Sequence, residues 1–195
     1  MIKEKSRILF NQNGVTNVSF RDVGNELNRS YGNLTYHYPT KEDLVLEIYK
    51  EMNVELTDLQ LSPMAYENLL TYFLTLPQMS YDISLKYLFF TVDFVEIKRS
   101  FPRVYSKMVK AQEERKQMWL QLLNKLHAEG FLTDSLIEND FMYLMFLSGS
   151  IRSSYFQLLP TSQYNKIEFS KTVNRLLKNY LSRKGLKVYD DFISY

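Results

Sequence analysis

The sequence predicts an all-α protein, a three-helix head followed by a helical bundle, and three observations predict it. Gly and Pro are scarce, with 6 and 5 copies in 195 residues, so few positions break a helix. Apolar residues recur at three- and four-residue spacing over long stretches. No segment alternates apolar and polar residues between turn signals, as a half-buried strand would. Hydrophobic residues make up 45% and charged residues 24%, the balance of an ordinary globular chain. The length is enough to bury a substantial core in one or two domains.

The first helix is predicted from about Ile2 to Asn13, with Ile2, Ser6, Leu9 and Phe10 on one face. Gly14 stops it, because glycine takes a positive φ without steric cost. Ser19 caps a second helix, and Asp22 three residues on completes a capping box. Phe20, Val23, Gly24 and Leu27 form its inward face. The turn falls at Asn28-Arg29-Ser30, where Asn tolerates the left-handed conformation and Ser30 caps the next helix. That third helix is short, from Tyr31 to about Tyr38, and Pro39 closes it. Gly24 costs about 1 kcal/mol against Ala in helix propensity, so the third helix is expected to approach closely there.

Thr40 opens a fourth helix, with Asp43 at the capping-box position. Its stripe of Leu44, Ile48, Met52, Leu56 and Leu59 links the head to the remainder. Ser62-Pro63 reads as another helix start, and Pro77 and Pro102 as two breaks. A long helix is predicted from about Arg103 to Glu129, ended by Gly130. Ser135-Leu136-Ile137-Glu138 opens the next, which Pro160 ends. A last helix carries Val173, Leu176, Leu177, Tyr180 and Leu181 as one stripe. Lys171, Arg175, Lys178, Arg183, Lys184 and Lys187 form its wet face and frayed end. The total is about nine helices, with no internal repeat and no low-complexity tract. The head is drawn at residues 1–46 and the body at 47–195.

Composition excludes several classes of function. With no Cys, there is no disulfide framework, thiolate metal site or cysteine nucleophile. The N-terminus is charged, unlike a signal peptide. The longest apolar run, around Phe141 to Leu147, falls short of the roughly 20 residues a membrane span needs. The chain therefore reads as soluble and cytoplasmic. The only two histidines, His37 and His127, lie on different helices. There is no phosphate-binding glycine loop, HExxH or Gly-x-Ser-x-Gly. Glu113, Glu114, Glu138 and Asp140 fall on solvated faces without metal-ligand spacing. No enzyme, cofactor or metal is expected.

The net charge of +2 implies no partner by itself, but its distribution does. Residues 1–41 hold Lys3, Lys5, Arg7, Arg21, Arg29 and Lys41 against Glu4, Asp22 and Glu26, six cations to three anions. Residues 42–60 reverse this, with six acids against Lys50 alone. A basic head on an acidic neck suits a local phosphate contact. The third helix supplies what a DNA groove requires: Tyr31, Asn33, Thr35, Tyr36 and His37 lie along it and Lys41 just beyond, while Leu34 points inward to pin it.

These residues resemble the DNA-binding head of the TetR/AcrR family of bacterial transcriptional regulators. Leu9-Phe10-Asn11-Gln12-Asn13-Gly14 is similar to the family's end of the first helix, and Ser19-Phe20-Arg21-Asp22-Val23-Gly24 to its start of the second. Ser30 to Tyr38, then Pro39-Thr40-Lys41-Glu42-Asp43-Leu44, matches the third helix and its exit. The likeness covers roughly the first quarter of the chain, in register at many positions. It implies that Tyr36, His37 and Lys41 hold the phosphate backbone and that Tyr31, Gly32 and Thr35 sit where bases are contacted. Ser19, Arg29, Ser30 and Asn33 complete the candidate DNA-contacting set. Thr35 stands where the family often has Tyr, Gly24 where Ala is usual, and Asn28 where Gly is usual. The base preference is therefore this chain's own, and a Thr methyl suits a thymine methyl.

The resemblance also implies a homodimer on palindromic operator DNA, with recognition helices about 34 Å apart. Phe146, Gly149, Ser150, Val173, Leu177 and Tyr180 are the candidate dimer contacts. A small-molecule effector is implied in the body, with Phe73, Tyr87, Phe90, Phe94, Tyr105, Met108, Trp119, Tyr143 and Tyr155 as candidate lining. The expected function is a repressor that the effector releases. The alternative is a helical small-molecule-binding or interaction protein that has lost operator binding.

Overall fold

Reciprocal side-chain caps set the start of this fold. The structure, a computed structural model, describes residues 1–59, 67–136 and 138–194. Eleven α-helices run through them: α1 Ile2–Asn13, α2 Phe20–Leu27, α3 Tyr31–His37, α4 Lys41–Leu59, α5 Leu69–Lys86, α6 Phe89–Val92, α7 Phe94–Ser100, α8 Pro102–Ala128, α9 Glu138–Leu158, α10 Lys166–Asn174 and α11 Arg183–Ile193. Two 3-10 turns, Thr161–Gln163 and Lys178–Tyr180, lie between the last of these. The described residues hold no strand, only an isolated bridge between Leu132 and Leu181. The Ser62-Pro63 helix start lies outside the described residues, as does Ile137 of the helix start at Ser135.

The chain divides into two compact units. The first joins Met1–Asp58 to Ile83–Ala111, and the second joins Leu59–Asp82 to Gln112–Tyr195. The core of the first unit draws Phe10, Val23, Leu34, Leu44 and Ile48 from the head. Tyr87, Phe89, Phe90, Ile97, Phe101 and Val104 join them from the later segment. Phe10 meets Phe89 edge to face at 5.3 Å and Tyr49 meets Phe90 at 5.2 Å, geometries that suit the ring quadrupoles.

Polar ties fix this packing. The Asn11 amide donates to the carbonyls of Leu85 (3.3 Å) and Lys86 (3.0 Å), and its oxygen accepts from Phe89 N–H at 3.0 Å. One side chain thus satisfies carbonyls left open at the end of α5 and an N–H left open at the start of α6. Asp93 accepts from Val15 N–H at 2.6 Å, and its burial raises the carboxyl above the usual range. Arg103 grips the first turn of α4. Its backbone N–H donates to Glu42 at 2.6 Å and its guanidinium to Glu42 at 2.9 Å and Asp43 at 2.6 Å.

The second unit has its own core, built from Leu70, Phe73 and Leu74 of α5, Leu123 and Leu126 of α8, Phe141 and Leu144 of α9, and Leu177, Leu181 and Tyr189. Two sequence expectations are corrected here. Pro77 does not break a helix; it lies inside α5 on the buried face formed by Leu70, Phe73, Leu74 and Tyr81. A proline in a helix costs about 3 kcal/mol, which the packing of that face offsets. The stripe of Val173 to Leu181 is not one helix, because α10 stops at Asn174. The chain instead runs beside residues 131–133: Thr133 N–H donates to Tyr180 O and Ser182 N–H to Phe131 O, both at 2.9 Å. Ser182 then caps α11 by accepting from Gly185 N–H at 3.1 Å. The basic tail is therefore an ordered helix rather than a frayed end. These divisions, with the short α6 and α7, give eleven helices among the described residues, where about nine were expected.

Gly185 is where the tail is most tightly seated, since a Cβ there would collide with the Phe131 carbonyl oxygen. Gly185→Ala is expected to destabilise the protein by about 1–3 kcal/mol through overpacking. Lys187→Ala, exposed on the same helix, should stay within about 0.5 kcal/mol of wild type. Urea denaturation of both variants checks this.

Candidate nucleic-acid interface

The turn and α3 are built from local rules. Ser19 accepts from Asp22 N–H, and Asp22 accepts in return from the Ser19 backbone at 2.7 Å and hydroxyl at 2.6 Å. Asn28 ends α2 in the left-handed conformation, at φ 52° and ψ 44°. It is the only non-glycine with positive φ among the described residues. Ser30 caps α3 by accepting from Asn33 N–H at 3.2 Å. Gly24 is required by the turn as much as by α3: a Cβ there would stand 2.8 Å from the Arg29 carbonyl oxygen and 3.3 Å from Leu34 Cδ1.

Leu34 is fully buried and its neighbours are not. Tyr31 is 56% and Tyr36 84% exposed, and Arg29, Ser30, Gly32, His37 and Ser19 are exposed as well. Asn33 and Thr35 are half-buried. The Tyr36 ring stands edge-on to His37 at 5.3 Å. Tyr36 stands in water on this seven-residue helix, while Tyr31 leans on the Phe20 ring at 6.2 Å; exposed aromatics suit a surface that meets a partner. The Thr35 hydroxyl donates within its own helix, to Tyr31 O (3.3 Å) and Gly32 O (3.2 Å). Its methyl and the accepting lone pairs of its hydroxyl oxygen are left for contact. Arg29 reaches Asn33 Oδ1 at 3.4 Å.

Lys41 is placed differently from the rest of the set. It is half-buried, its ammonium donates to Thr16 O at 3.4 Å, and it lies 5.7 Å from both the Phe10 and Phe101 rings. Burial lowers its ammonium below the usual lysine range, opposed by the charge of Asp22. The bond to Thr16 uses one of the three N–H donors of the ammonium.

The nine candidate pocket residues are divided between the two units. Tyr87, Phe90, Phe94, Tyr105 and Met108 belong to the first unit, and Phe73, Trp119, Tyr143 and Tyr155 to the second. Tyr87 and Phe90 are core, and Tyr87 OH donates to Glu55 at 2.6 Å. Phe73 and Trp119 pack edge-on at 5.0 Å beside a cavity of about 20 Å³. Tyr155 OH is bonded to the backbone of Asn165. Phe94 and Tyr143 are exposed. Of the candidate dimer contacts, Phe146 is 70% exposed. Gly149 and Ser150 are open beside it on α9. Tyr180 is half-buried. Val173 and Leu177 are buried inside their own unit, because the stripe that holds them is a core stripe.

Sequence reasoning did not single out Arg7, Asn11, Asp93 or Arg103 as ties between the head and residues 83–111. Their partners lie 60 to 79 positions away, and no local signal marks them.

Comparison with known proteins agrees with this geometry. Residues 2–48 match the family described as bacterial regulatory proteins, tetR family. The chain is similar to a TetR-family transcriptional regulator from Marinobacter aquaeolei VT8 at 20% identity and a TM-score of 0.83, over 98% of this chain and 96% of that one. A protein of Saccharomonospora viridis, described as a transcriptional regulator and solved in complex with choline, is similar at 16% identity and TM-score 0.76, over 93% and 96%. The ketosteroid transcriptional regulator KstR2 of Mycobacterium tuberculosis is similar at 14% and 0.72, over 93% and 94%. Identities this low carry the fold alone. None of the curated proteins matches the chain. The matched family and these neighbours are regulators, not enzymes.

The caps that shape the head make its stability depend on acid. The Ser19 hydroxyl and backbone hold the Asp22 carboxyl below its usual value of 3.8. The Thr40 hydroxyl, then Arg103, do the same for Asp43. A depressed folded-state pKa gives stability that is whole above the unfolded value and lost as pH falls through the folded one. The melting temperature of the wild type is expected to drop below about pH 4. Asp22→Asn/Asp43→Asn should be less stable at neutral pH and show a shallower drop in that window. Equal slopes would remove both carboxyls from the account.

Proposed function

We propose that this chain, a member of the TetR family of bacterial regulators, is a cytoplasmic, dimeric repressor that leaves a palindromic operator when a small molecule binds its body. Residues 1–46 act as the DNA-binding head, and residues 47–195 hold the dimer contacts and the effector site. The observation that carries this reading is α3, pinned by one buried leucine with its aromatic and polar side chains in water. Phosphate contacts position such a helix, and base contacts specify its site. Tyr36, His37 and Lys41 take the first role, with Ser19, Arg29, Ser30 and Asn33 around them. Tyr31, Gly32 and Thr35 take the second.

Dimerisation uses the open side of α9, where Phe146 flanks Gly149 and Ser150. Nothing lies within 4 Å of the place a Gly149 Cβ would occupy, so another backbone can come close. Release comes from a shift in population: an effector moves the head only by binding the DNA-incompetent form more tightly. The head is tied by Asn11, Asp93 and Arg103 to residues 83–111, so rearranging that segment rearranges the head.

Fluorescence anisotropy against DNA from upstream of its own gene, at several salt concentrations, tests this function. Wild type should form a salt-sensitive, sequence-dependent complex. Tyr36→Ala and His37→Ala should weaken binding to every sequence alike. Lys41→Ala should reduce the salt slope by about one counterion. Thr35→Ser, which keeps the hydroxyl and loses the methyl, should cost roughly 1 kcal/mol at the preferred site and leave non-specific binding unchanged. Binding that is insensitive to salt and sequence would overturn the reading in favour of an interaction protein.

A further inference from the structure

We infer that the second unit binds a short-chain carboxylate, its head on Arg152 and Ser148 of α9 and its tail in the apolar cavity between α5, α8 and α10. Arg152 lies on the buried face of α9, between Ser148 at 7% and Phe156 at 3% exposure, and is itself half-buried. Its partners are all neutral. Nε donates to Ser148 Oγ at 3.4 Å and Nη1 to Ser80 Oγ at 2.9 Å, and the guanidinium carbon lies 5.8 Å from the centre of the Phe169 ring. No carboxylate pairs with Arg152 among the described residues. Asp82, two positions beyond Ser80, is held by Lys166 at 2.6 Å. Burial therefore acts on the charge unopposed and pushes the guanidinium from its usual 12.5 down to about 10, so it stays a cation at neutral pH. A charge drawn out of water against hydroxyls alone is costly, and an anion that reaches it removes the cost.

Two donors are open to that anion. The buried side-chain atoms left without a partner among the described residues are Ser6 Oγ, Tyr49 OH and His127 Nε2. Arg152 Nη2 also lacks a partner but is not sealed in with them, so an incoming group can reach it. The Ser148 hydroxyl accepts from Nε, and its own proton is unspent among the described residues. Ser148 also lines the cavity, whose walls include Phe73 and Pro77 of α5, Trp119 and Leu123 of α8, and Val173 of α10. The lining carries no charged residue among those described. Its other polar member, Asn174, already donates to Leu74 O at 2.7 Å. An organic cation would meet Arg152 and no acid, and an alcohol would leave the guanidinium unpaired. A carboxylate accepts from both donors, and such charge-assisted bonds are roughly twice as strong as neutral ones. The cavity has a volume of about 20 Å³, and one water needs roughly 10–15 Å³, so the tail is two or three carbons long. That this occupant is the effector rests on the regulator reading above; that it binds does not.

The test is calorimetric titration of the full chain, without DNA and in carboxylate-free buffer, by acetate, butanoate, butylammonium and butanol. Butanoate should bind saturably, about fourfold tighter than acetate for each added carbon. Butylammonium and butanol should bind about tenfold more weakly than butanoate or less. Arg152→Met and Ser148→Ala should each weaken butanoate about tenfold. The serine variant removes a single oxygen and keeps the site testable if the arginine variant does not fold. Lys171→Met, which removes an exposed cation of α10, should leave butanoate unchanged. Equal binding of butylammonium or butanol, butanoate binding untouched in the α9 variants, an equal loss in Lys171→Met, or no saturable binding would each overturn the site. An affinity that does not rise from acetate to butanoate would overturn the cavity as the seat of the tail. Butanoate that binds but leaves a DNA complex intact would overturn its role as effector. Failure to bind DNA with no ligand present would instead count against the regulator reading, and the calorimetry would stand.

Discussion

The burial of Leu34 is the contact on which the placement of α3 depends. An isolated seven-residue helix is unstable in water, because nucleation fixes several residues for each bond gained. Leu34 is the one buried residue of α3, and its Cδ1 packs against the place where Gly24 has no side chain. The capped turn holds the helix at the angle that lets this happen. With Leu34 down, Tyr31 and Tyr36 are obliged to stand in solvent. The outward chemistry of the head comes from one inward side chain and a missing Cβ.

The core of the head is shared with a later segment of the chain. Residues 83–111 share its core through Phe89, Phe90, Ile97 and Phe101, and they meet its backbone through Asn11, Asp93 and Arg103. Arg103 holds the same Asp43 carboxylate that caps α4. A cap and an ion pair therefore share one side chain, so the entry of α4 and the start of α8 are fixed together. The helices α5 and α8 each contribute residues to both units.

Distance along the chain decided how much was legible in the sequence. The boxes at Ser19 and Thr40, the Asn28 turn, the Ser30 cap and the inward Leu34 were all readable, because each needs only residues within four or five positions. The ties of Arg7, Asn11, Asp93 and Arg103 were not, because a polar side chain does not announce a partner 60 to 79 residues away. Pro77 misled because propensity is a local cost, and the buried face of α5 outweighs it. The Val173–Leu181 stripe misled in the opposite sense. Its apolar spacing was real, but the pairing of Leu181 with Leu132 took the chain out of the helix. Of the aromatic candidates for a pocket, Tyr87 and Phe90 belong to the core of the first unit, because an aromatic at helical spacing serves packing as readily as binding.

The central claim is that α3 lies in the major groove, twice, in a symmetric complex. Dimethyl sulfate footprinting of the bound operator tests it directly, because guanine N7 lies in the major groove and adenine N3 in the minor. The account requires N7 protection in two patches separated by about one helical turn or a multiple of it. Protection confined to adenine N3, or an unprotected major groove under saturating protein, would contradict it.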